Sequence, residues 1–118
     1  MMFMVFFVLH DPSQLNDILN AWEECGVSGV TILPSTGMAR IRQHLGFRDD
    51  LPLIPSADDL LERWEDSNRT LFTLVPDQKK VDEVVAATQR VVGDLDLPNT
   101  GILAVLPVAQ VYGLNRKA

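Results

Sequence analysis

Apolar and polar positions follow two periods along this chain, interrupted once by a long stretch that follows neither. Residues 3–9, FMVFFVL, are rich in aromatic and β-branched side chains with no polar break, which predicts a strand buried on both faces. Asp11 and Pro12 then open a helix, because proline's missing N–H is no loss in a first turn and an aspartate there caps it. Leu15, Ile18, Leu19, Trp22 and Cys25 follow at helical spacing, one apolar stripe ending at Gly26. Residues 29–33, GVTIL, predict a short second strand that Pro34 and Ser35 end. Residues 70–75, TLFTLV, predict a third. Asp77 caps a second helix whose buried face is Val81, Val84, Val85, Thr88, Val91 and Val92, with Gly93 at its end. The turn-rich DLDLPNT leads into 101–114, apolar at every position from Ile102 to Val108, a closing strand with both faces to cover. Pro107 interrupts that run and points to a bulge, a bend or a strand end. The polar tail 115–118 is expected to fray.

Between the second and third strands the pattern changes. Gly37, Gly46, Pro52 and Pro55 punctuate a stretch carrying charges of both signs, and an excursion of this length (residues 36–68) in a small domain points to function or mobility. Within it Ser56 and Asp59 resemble a capping box, and Ala57, Leu60, Leu61 and Trp64 make a short amphipathic helix. The order strand, helix, strand, excursion, strand, helix, strand is the split arrangement of an α+β, ferredoxin-like βαββαβ fold. Such a fold has a four-stranded antiparallel sheet with both helices on one face. Residues 1–118 are read as a single domain.

Two helices cover only one face of that sheet, yet the first and last strands are apolar on both. An uncovered rear face would exceed the few hundred Å² that a monomer tolerates. Other copies of the chain should therefore cover it, most simply in a closed symmetric ring.

Composition narrows the function classes. A chain of 118 residues with 47% hydrophobic and 22% charged residues is an ordinary globular protein, long enough for one core. The net charge of −6 argues against a nucleic-acid footprint and disfavours anionic membranes. Cys25 is the only cysteine, which rules out an internal disulfide and a thiolate cluster within one chain and fits a cytoplasmic setting. The apolar opening MMFMVFFVL has no basic residue before it and no small-residue cleavage pattern after it, so it reads as a strand and not as a signal peptide. No stretch approaches the roughly 20 apolar residues of a membrane span.

Three segments resemble the PII superfamily of nitrogen regulatory proteins. VLHDPSQLNDILNAWEECGVSGVTI, 8–32, is similar to the PII pattern in which a strand meets a proline-containing helix start and a Gly-Val-x-Gly turn. GVTILPSTGMAR, 29–40, lies over the entry to that family's T-loop, with Gly37 and Arg40 at the positions of a Gly and an Arg and Ala39 where a second Gly is usual. NTGILAVLPV, 99–108, resembles its B-loop and last strand, with Gly101, Pro107 and Val108 matching. The resemblance covers nearly the whole chain apart from 41–68.

It implies a ferredoxin-like homotrimer that binds ATP or ADP in clefts between subunits, where backbone N–H groups of a Gly-rich loop and nearby cations hold the phosphates. On that footing the candidate ligand residues are Thr31, Thr36, Gly37, Arg40, Thr100, Gly101 and Arg116, the threonines serving as hydroxyl donors. The bland alternative is that the glycines only permit turns and Arg40 is a solvated surface residue. The chain departs from the family at the phosphates. Ile102 stands at the position of the B-loop Lys, and Gly113 and Asn115 at those of two arginines, with only Arg116 and Lys117 as substitutes. Each charge-assisted hydrogen bond lost removes roughly 1.5 to 3 kcal/mol, which leaves open a less charged nucleotide, another anion or no ligand. Tyr112 is the only tyrosine, so tyrosine uridylylation does not carry over to the T-loop region.

Other groups are weaker candidates. His10 and His44 with Asp11, Asp49 or Asp50 match no compact metal motif. Cys25 lies on an apolar stripe, where packing outweighs reactivity. Trp22 reads as core and Trp64 as a docking residue, while Asp58, Asp59, Glu62, Glu65 and Asp66 form a solvated helix face. No nucleophile elbow or triad spacing supports an enzyme. The expectation is a PII-like regulator whose segment 37–68 contacts a target protein. The alternatives are a structural trimer with that segment as a fixed lid and no ligand, or a divalent-metal-binding trimer.

Overall fold

A computed structural model describes residues 1–36 and 68–114. Four strands form one antiparallel sheet, β1 (Met2–Leu9), β2 (Thr31–Ser35), β3 (Asn68–Val75) and β4 (Ile102–Val108). Their order is β2-β3-β1-β4, with helices α1 (Leu15–Glu24) and α2 (Gln78–Val92) packed on one face. This is the ferredoxin-like α+β fold. The short helix expected at 57–64, Trp64 and the acidic cluster lie outside the described residues, as does the tail.

The period of two along β1 decides what is core. Val5, Phe7 and Leu9 point at the helices and are fully buried, as are Leu71, Ile18, Trp22 and Val84. Trp22 and Thr88, from the two helical stripes, meet in that core. Trp22 Nε1 donates to Thr88 Oγ1 at 2.8 Å, and Thr88 Oγ1 donates to Val84 O at 2.8 Å, so the buried indole is satisfied without water.

Each helix is fixed at its ends by sequence-local chemistry. Asp11 Oδ1 accepts from Ser13 N at 3.0 Å and from Ser13 Oγ at 2.6 Å. The turn it starts is a short 3₁₀ segment, Pro12–Gln14, and the α-helix begins only at Leu15, so the single helix expected from Asp11 onward is in fact two pieces. Asp77 Oδ1 accepts from Lys80 N at 2.9 Å. Lys80 in turn reaches from α2 to Cys25 O, the last turn of α1, and to Glu83 Oε2 at 2.8 Å. Cys25, half-buried, points its Sγ at Glu83 O, a packing position.

The outer strands finish beside prolines, and β2 begins at Thr31, two residues after its expected start at Gly29. β2 ends at Ser35 and β4 at Val108, each one residue past its proline, so Pro34 with Ser35 and Pro107 mark strand ends as expected while both prolines stay within the paired strands. Both strands are the outer ones of the sheet, paired on one side only, which is where a sheet tolerates proline. β3 starts at Asn68, two residues ahead of the expected position, paired with Ser35.

The face away from the helices is built from rows set by register. Leu106, Met4 and Leu74 lie side by side, then Ala104, Phe6, Phe72 and Thr31, then Ile102, Val8, Thr70 and Leu33. No described element covers these rows. Ile102 is 61% exposed, and Leu33 and Leu106 are each 47% exposed. Among the described residues, then, nothing covers the outward side of β4.

Candidate functional site

The strand ends bring several sequence-predicted residues to one end of the sheet. Ser35 pairs with Asn68, Leu9 with Arg69, and Val8 with Ile102, so Thr36, His10, Thr100 and Gly101 all stand where these strands finish or begin. Gly37, Arg40 and Arg116 belong to this set by sequence but lie outside the described residues. Thr31 is at the other end of β2, opposite Phe72 and exposed. It stands roughly 13 Å from Ser35 at the ordinary rise of a strand, so one chain does not gather the whole predicted set around a single small ligand.

The turn before β4 has a local logic of its own. Thr100 Oγ1 donates to Leu97 O at 2.8 Å, so its hydrogen is engaged within the turn and its lone pairs are what remain for a ligand. Leu95 N donates to Gln89 Oε1 at 3.1 Å, tying the turn to the end of α2. Gly101 has φ +122°, and a Cβ there would lie 2.6 Å from Val8 O and 2.8 Å from Phe7 Cε1. Glycine is therefore demanded by close packing on β1, whatever the loop binds. Ile102 follows it, exposed on the uncovered face.

Arg69 was missed by sequence reasoning, which began the third strand only at Thr70. It is 8% exposed beside Leu9 and Pro34, and its Nη1 donates to Asn68 O at 3.5 Å. Only the observed start of β3 at Asn68 puts this arginine on the inward face of a core strand, where an arginine is rarely buried unless paired. Among the described residues no group of three or more His, Cys, Asp or Glu is placed to hold a metal. His10 stands at the end of β1, and Asp11 is engaged by Ser13, whose hydroxyl and amide hold its carboxyl below the usual 3.8. His44, Asp49 and Asp50 lie outside the described residues.

Beside α1 and the start of β2 is an open cavity of about 540 Å³. It is lined by Leu19, Val27, Val30 and Ile32 and by the polar Glu23 and Ser28, and its wall includes the residues on either side of Thr31. No described helix is long and apolar enough to cross a membrane.

No family model matches this sequence, and a comparison with curated proteins gives no match either. Solved structures do match. The chain is similar to the GlnK–ATP complex of B. subtilis, at TM-score 0.56 and 17% identity over 92% of this chain and 82% of that one. PII of Arabidopsis thaliana bound to citrate matches at TM-score 0.59 and 16% identity over 91% of this chain and 77% of that one. B. subtilis GlnK matches at TM-score 0.54 and 15% identity, covering 92% and 85%. The fold is the PII fold, at a sequence distance consistent with wide divergence.

Proposed function

We propose that this chain is a PII-like regulatory protein of the cytoplasm, a homotrimer that binds a small effector in clefts between subunits and signals through a protein partner contacted by residues 37–68. The observation that carries the reading is the uncovered apolar face in a fold shared with PII proteins: rows of Met, Phe, Val and Leu are left open by two helices that cover the other side. Copies packed on that face make clefts at their seams. The division of candidate residues supports the same picture, because Thr31 at one end of β2 and Thr36, Thr100 and Gly101 at the other suit a ligand held by two copies and not by one. In such a cleft Gly37, Gly101 and the threonines supply backbone N–H groups and hydroxyl oxygens, and Arg40 and Arg116 the positive charge.

The relatives were solved with ATP and with citrate. Here Ile102 puts an apolar side chain at the mouth of the turn, which favours an effector less charged than a triphosphate. The role is regulatory and not catalytic. A second reading, a trimer without a ligand, is favoured by the packing demand on Gly101 and the internal engagement of Thr100.

Native mass spectrometry combined with a thermal-shift screen separates these. A trimer whose melting temperature rises with a nucleotide, 2-oxoglutarate, citrate or bicarbonate is the expected result. At a hundredfold over the dissociation constant the ligand stabilises by about 2.7 kcal/mol. A trimer indifferent to all of them supports the second reading, and one that releases a divalent metal on elemental analysis supports a metal-binding trimer. A monomer at micromolar concentration removes all three.

A further inference from the structure

The geometry points to a specific seam between copies: the segment following β4, carrying Tyr112, lies in the cavity beside α1 and β2 of a neighbouring copy. This rests on the trimeric reading above and names one of its contacts. The chain leaves the sheet at Val108, and the only tyrosine of the sequence is 87% exposed, with Leu114 50% exposed two residues on. An aromatic side chain of this size held clear of its own molecule is the kind of anchor that fills a pocket on a partner. The cavity offers a matching concavity of about 540 Å³, with apolar walls from Leu19, Val27, Val30 and Ile32. Glu23 and Ser28, which also line it, give the phenolic hydroxyl a carboxylate or a hydroxyl to donate to.

Position favours a second copy as the partner. β4 finishes opposite Met2, and the turn before β2 runs beside β3 near its end, where Thr73 Oγ1 donates to Gly29 O. Tyr112 and the cavity are thus at the same end of the sheet. They are on opposite edges of it, because β4 and β2 are the outer strands, three strand spacings or about 14 Å apart. One molecule keeps projection and cavity separate, whereas a neighbour set edge to edge brings them together. The contact is head-to-tail, and with a closing three-fold rotation its repetition makes the ring of the trimeric reading.

Single cysteines in separate chains test the contact, since no intrachain link can then form. In a Cys25→Ser background, Ser28→Cys and Tyr112→Cys chains carrying different tags are co-expressed and mildly oxidised. The expected product is the mixed covalent pair, several-fold in excess over either like pair, and lost when Asn16→Cys on the exposed side of α1 replaces Ser28→Cys. Like pairs only, or no covalent product, overturns the contact. Separately, Tyr112→Ala should raise at least tenfold the concentration at which the complex dissociates, and an unchanged value overturns the contact too. Native mass spectrometry of the same samples distinguishes the two levels. A trimer without the mixed pair removes this seam and leaves the trimeric reading, whereas a monomer removes both.

Discussion

Gly101 illustrates how much one missing methyl group decides. Any Cβ there meets the Val8 carbonyl at 2.6 Å, and the backbone sits at a positive φ that L side chains avoid. Gly101→Ala should destabilise the fold by about 2 kcal/mol or more, read as a shift in a urea midpoint at constant slope. Thr88→Val would leave the buried indole N–H of Trp22 without its acceptor, and a loss of about 1–3 kcal/mol is expected, with most of it absent in a Trp22→Phe background. Ile102→Lys restores one cation to the turn and should tighten ATP binding by roughly tenfold or more in calorimetry. No gain there would count against placing the effector's phosphates at this turn. At this scale the sequence was half legible. Trp22 and Thr88 each stood on a predicted buried stripe, but their bond joins residues 66 positions apart and no local period reveals it. The demand on Gly101 comes from the approach of Phe7 and Val8, which only the paired strands create.

Helix ends give the elements their pH response. Asp11 is held below its usual 3.8, first by the Ser13 hydroxyl and then by the Ser13 amide. A lowered folded value means that the cap stabilises above the ordinary carboxylate range and is lost as pH falls through the lowered value. Asp11→Ala should therefore cost about 0.5–1 kcal/mol at pH 7, with the difference from the natural chain vanishing in strong acid. Lys80 behaves oppositely. Its hydrogen bond to Glu83 raises it above 10.5, so its tie between α2 and α1 is complete below that value and fades as pH rises through the raised one. Strand and helix types were legible from period alone, and so were the Asp11 and Asp77 caps. That both prolines stay within the paired strands was not, because whether a strand tolerates proline depends on its place in the sheet, and that order emerges only when distant strands pair.

For the whole molecule the rear of the sheet is the governing feature. Met4 lies on it between Leu74 and Leu106, pointing away from the helices. Met4→Glu should leave the circular dichroism of a single chain intact while shifting native mass spectra from the proposed trimer to monomer. An unaltered trimer would show that copies do not meet there. The apolarity of this face was readable in the sequence, since β1 and β4 carry no polar residue on either side. The split of Thr31 from the other candidate residues was not readable, because spacing along β2 becomes separation only once the strand is extended. Pro34 and Pro107 add a last consequence. Each rim of the sheet carries a residue unable to donate a main-chain hydrogen bond, so neither rim is a clean template for an incoming strand. A molecule this greasy could otherwise grow into open-ended cross-β filaments, and its blunted margins steer association towards complexes of finite size.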